Sequence, residues 1–96
     1  MSLPPRWTVA ASEHAADTLQ AVLKSGDERL YRAVLLFLRG AALELGSALA
    51  AGHRPPGLRL DDGRIALDVP REPVVVYYLA DTARRELFVT DVIWLG

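Results

Sequence analysis

The chain has no cysteine, one lysine, two histidines and no basic surplus. Without cysteine there is no disulfide framework, thiolate metal site or cysteine nucleophile, which suits a reducing compartment. The two histidines, His14 and His53, have no acidic ligand cluster beside them, so no metal is expected. No Gly-rich phosphate loop, Ser-His-Asp set or paired-carboxylate motif is present, and no cofactor is implied. The net charge of -1 argues against simple polyanion binding, which draws on a basic surplus. Long apolar runs are absent too. The most apolar stretch, Ala33 to Leu38, is ended by Arg39 and is too short to span a bilayer. Met1-Ser2-Leu3-Pro4-Pro5-Arg6 lacks the apolar core of a secretory leader. These absences predict a cytoplasmic protein with no membrane partner.

What is present points to one domain, residues 1–96, with 51% apolar residues to build a modest core. Ten of the eleven basic residues are Arg, a side chain suited to bidentate contacts with carboxylate or phosphate. The abundance of Ala, Gly and Leu beside it favours codon bias as the explanation.

Trp7-Thr8-Val9 reads as a short strand. Ser12 is placed to cap a helix over Glu13 to Lys24, with Ala15, Ala16, Leu19, Val22 and Leu23 on one face and Gly26 ending it. Asp27 is placed to cap a second helix reaching about Ala51, with an apolar stripe from Leu30 through Val34, Leu38 and Leu45 to Leu49. Leu36 and Leu43 interrupt its polar side. Pro55-Pro56 stops it. A β-meander follows. Leu58, Leu60, Ile65, Leu67 and Val69 alternate with Arg59, Arg64, Ala66 and Asp68 around an Asp61-Asp62-Gly63 turn. Val74 to Ala80 is apolar on both sides, as in a central strand. Leu87, Val89, Ile93 and Leu95 alternate with Phe88, Thr90, Val92 and Trp94. The predicted fold class is α+β: a short N-terminal strand and two amphipathic helices packed on an antiparallel meander.

That order resembles the small toxins of the RelE/ParE superfamily over nearly the whole chain. The resemblance rests on Trp7-Thr8-Val9 with the following helix, on Arg54-Pro55-Pro56-Gly57-Leu58 after the second helix, and on Gly63-Arg64-Ile65-Ala66-Leu67 paired with Val74 to Asp81. It implies the toxin component of a type II toxin–antitoxin system, with an antitoxin encoded nearby and with ribosome-bound messenger RNA or DNA gyrase as target. The basic pattern departs from that of the ribosome-dependent nucleases. Arg64 matches one basic strand position, Ala66 and Asp68 stand where others are expected, Val74 replaces a strand Arg, and no basic tail follows Trp94-Leu95-Gly96. RNA cleavage needs cations at the phosphate and a group to activate the ribose hydroxyl. At most a weak ribosome-dependent endoribonuclease is expected. The alternative is a catalytically silent interaction module or degenerate toxin on the same scaffold.

Arg64 is the one catalytic candidate, and Arg59, Arg64 and Arg71 are candidates for RNA binding. Arg59 and Arg64 are expected to face each other across the first hairpin, away from the core, where they would grip phosphate or pair with Asp61, Asp62 or Asp68. Arg71, Arg84 and Arg85 fall in turns, where cations are ordinarily solvated. Tyr77 and Tyr78 point to opposite faces, one under the helices and one available to stack. Leu36, Leu43 and Trp94 are candidates for a partner surface, either an antitoxin or a homodimer contact.

Overall fold

Ser12 and Asp27 set the two helices. The Ser12 side chain accepts the Ala15 N–H, and Asp27 accepts the Leu30 N–H, each satisfying a donor that the first helical turn leaves open. The computed structural model describes residues 6–95. Met1 to Pro5, read above as lacking a leader's apolar core, and Gly96 lie outside the described residues. The element order is β1 (Thr8–Ala11), α1 (Glu13–Lys24), α2 (Glu28–Ala50), β2 (Leu58–Arg59), β3 (Ile65–Asp68), β4 (Val74–Asp81) and β5 (Glu86–Trp94).

The strands form one sheet in the order β1-β5-β4-β3-β2. Strands β2 to β5 make the antiparallel meander. β1 joins as well, parallel to β5, so the sheet is mixed. The fold is α+β, with both helices sharing one hydrophobic core with the sheet. Ala15, Leu19 and Val22 of α1 and Leu30, Val34, Leu38, Ala42 and Leu45 of α2 meet Ile65, Val76, Tyr78, Leu87 and Val89. An 18-residue stretch within α2 has a mean hydropathy of 1.6, enough by length and composition to cross a bilayer, and the short-run reading above missed this. Its inward stripe is nevertheless part of this core.

Two register details depart from simple alternation. In the first hairpin, Arg59 stands opposite Ile65, while the Leu60 N–H donates to the Arg64 carbonyl. Residues opposite each other share a face, so Arg59 and Arg64 lie on opposite faces and do not meet. Leu58 pairs with Ala66 and is exposed, not buried as its alternation implies. In β5, Tyr77 pairs with Asp91 but Tyr78 pairs with Val89, which leaves Thr90 as an extra residue, a β-bulge. The bulge reverses the phase of the strand. Leu87, Val89 and Val92 point into the core and Trp94 packs against it, whereas Phe88, Asp91 and Ile93 occupy the other face.

Among the described residues no helix covers that other face. Leu79 and Ile93 are 40% and 37% exposed there, beside half-buried Val75, Tyr77 and Phe88.

Candidate functional site

The Thr90 bulge builds a polar cluster on the open sheet face. Without the extra residue Asp91 would share the phase of Leu87 and Val89 and point into the core. With it, the carboxylate comes out beside Arg64. Arg64 Nη1 donates to Asp91 Oδ2 at 2.7 Å, and Arg64 Nε donates to Asp62 Oδ2 at 2.7 Å. Its backbone N–H also donates to Asp62 Oδ1. The guanidinium carbon sits 4.8 Å from the centre of the Tyr77 ring. Thr90 Oγ1 donates to Asp91 Oδ2 at 2.8 Å. His14 Nε2 lies 3.9 Å from Asp91 Oδ1, an ionic contact when the imidazole is protonated.

Ser12 anchors the bulge from below. Its hydroxyl donates to the Thr90 carbonyl at 2.8 Å while the same oxygen caps α1. One side chain therefore ties the start of α1 to the residue that re-aims Asp91.

The electrostatics follow from these contacts. The Thr90 hydroxyl, then Arg64, holds the Asp91 carboxyl below its ordinary range against the opposing effect of burial. The Arg64 N–H and guanidinium likewise hold the Asp62 carboxyl down. The two carboxylates in turn raise Arg64. The cation is thus satisfied by two anions, which leaves it little to offer a phosphate.

The other expected site residues lie apart from this cluster. Arg59 is exposed on the edge strand, on the helix-side face, with no ion-pair partner among the described residues. Arg71 is exposed in the β3–β4 turn with a left-handed backbone, φ 66°. The neighbouring Glu72 does not pair with the turn arginines. It accepts a bidentate bond from Arg29 of α2 at 2.8 and 3.0 Å, which pins the turn to the helix. Tyr78 is the inward tyrosine, and its hydroxyl donates to the Pro56 carbonyl at 2.6 Å. Tyr77 is the outward one. No group of three or more His, Cys, Asp or Glu among the described residues could hold a metal.

Leu36 and Leu43 are 67% and 57% exposed on α2. They flank a groove between α2 and β1, formed by adjoining stretches of 530 and 490 Å³ that share Val9 and Arg39. Trp94 is on the core side of β5 and does not join them.

Sequence reasoning passed over Asp91. The available signal was Thr90-Asp91 inside an otherwise apolar strand, where a charge must either be buried or be turned out by a bulge. Comparison with protein-family models, with curated proteins and with solved structures finds no match for this chain.

Proposed function

We propose that this chain is a RelE/ParE-like toxin component of a type II toxin–antitoxin pair, working in the cytoplasm, whose scaffold acts through protein contact and not through RNA cleavage. The reading begins from the resemblance of element order and strand pattern, and fold alone does not fix function. The observation that carries the choice between contact and cleavage is the state of Arg64. The one basic residue that matches a nuclease position is held by Asp62 and Asp91 on the open sheet face, beside exposed Leu79 and Ile93. A developing phosphate charge would have to compete with both carboxylates. Losing one well-placed donor costs such a reaction ~10²–10³ in rate, and here several basic positions are missing or neutralised. Antitoxin binding and a protein target such as gyrase require no free cation on that face.

Two measurements test this. Co-expression with the adjacent small gene should yield a co-purifying complex. An unchanged, well-behaved monomer would remove the antitoxin reading. Primer extension on a translated messenger with purified protein should show no codon-phased cuts, and Arg64→Ala should leave RNA affinity and its salt dependence unaltered. Robust cuts lost in Arg64→Ala would restore the nuclease. Growth arrest without cuts would point to a protein target.

A further inference from the structure

The groove between β1 and α2 combines three properties. The first is a free strand edge. The Thr8 and Ser12 N–H groups donate inward, to the carbonyls of Arg85 and Val89. A strand alternates with a period of two, so the N–H and C=O of Val9 and Ala11 point off the outer edge of β1, where no described strand pairs with them. The second is an apolar wall. Trp7 and Val9 line it from the strand side, Leu36 and Leu43 from the helix. The third is charge of one sign. Arg6, Arg32 and Arg39 line the same groove, and no acidic residue does. Of these, Arg32 pairs with Glu28, one turn away on α2, in an exposed contact of the kind that yields readily to a competing carboxylate.

We propose that this groove receives an extended acidic segment of a partner protein, which adds a strand to the outer edge of β1. Main-chain bonds to Val9 and Ala11 supply the pairing. Alternate side chains of the added strand point toward α2 and pack on Leu36 and Leu43, so they are apolar. Asp or Glu residues at the ends of that apolar stretch reach Arg39, Arg32 and Arg6. Charge complementarity selects the occupant: a basic or neutral strand would satisfy the edge but bring no counter-charge to Arg6 and Arg39, which have no ion-pair partner among the described residues, and none to compete with Glu28 for Arg32. The inference rests on the protein-contact reading above and supplies the chemistry of the contact.

The test is selection of random peptides displayed on phage against the immobilised full chain, followed by binding of the selected synthetic peptides in solution. The expected peptides are rich in Asp and Glu and carry alternating apolar residues over a strand length of about six. Arg39→Glu should weaken them by about tenfold or more, and peptides with Glu changed to Lys should regain affinity for that variant. Amide exchange at Val9 and Ala11 should slow on binding. A selection that yields no binders, or only neutral or basic ones, overturns the proposal. So does affinity unchanged by Arg39→Glu, or exchange at Val9 and Ala11 that binding does not alter. Self-association that protects those two amides would overturn it in favour of a second copy of this chain. A complex with the adjacent gene product that leaves both amides unprotected would sink the groove while sparing the broader reading.

Discussion

Tyr78 joins full burial to a tertiary hydrogen bond. Its ring is fully buried and its hydroxyl closes on the Pro56 carbonyl, the bond that fastens the end of the α2–β2 connection to the central strand. Burial, with a smaller contribution from Glu44, pushes the phenol from 10.0 up to about 12. A folded-state value above the unfolded one stabilises the fold fully below the unfolded pKa and loses that contribution as pH rises through the folded one. Stability should therefore fall between 10.0 and about 12, as read by denaturant midpoints across that range. Tyr78→Phe should flatten that part of the curve. It should also cost about 1–3 kcal/mol at neutral pH, because the Pro56 carbonyl is left without its partner. Asp91 works in the opposite sense. Its depressed carboxyl contributes stability above the unfolded pKa that is lost as pH falls through the folded value. Asp91→Asn should blunt the acid limb of the stability profile, and an unchanged limb would show that the cluster is decorative.

At the scale of elements, the two glycines of α2 separate propensity from packing. A Cβ at Gly40 would meet nothing within 4 Å, whereas one at Gly46 would stand 2.5 Å from Trp7 Cδ1. Gly40→Ala should stabilise by up to about 1 kcal/mol from helix propensity alone. Gly46→Ala should lose that gain by displacing Trp7. In a Trp94→Phe background, thermal melts and the emission maximum of Trp7 distinguish the two. The same contact shows what a sequence conveys and what it withholds. Both helices, their caps and the four meander strands are legible, because Ser12, Asp27, the apolar stripe of α2 and the period of two are local signals. Gly46 reads only as a weak helical residue, since its reason is a tryptophan nearly forty positions away. The phase of β5 is illegible for a related reason. Alternation assumes an unbroken strand; Thr90-Asp91 signals a break within β5, but the contacts that hold the bulge, from Ser12 and to the Tyr77 carbonyl, come from distant parts of the chain. The pairing of Arg64 with Asp62 lay within reach of local reasoning, two residues apart. Its second partner, Asp91, did not.

At the scale of the whole molecule, the first strand lies beside the last. Ser12 is hydrogen-bonded to Thr90 across 78 positions of chain, and among the described residues β1 has no other neighbour in the sheet. During synthesis at about 5–20 residues per second, β1 must wait on the order of ten seconds for the strand that completes it. Until β5 emerges, Trp7 and Val9 have no sheet to join, and α1 lacks the Thr90 carbonyl to which its cap is tied. Nascent chains arrested before Glu86 clears the ribosome should be cut readily by protease near β1, and release past Leu95 should bring resistance in one step. Protection of β1 in the shorter chains would mean that the helices alone shelter it. The order of assembly is thus inverted with respect to the order of translation: the segment made earliest is the last to be locked, and the closing strand acts as the latch for the whole domain.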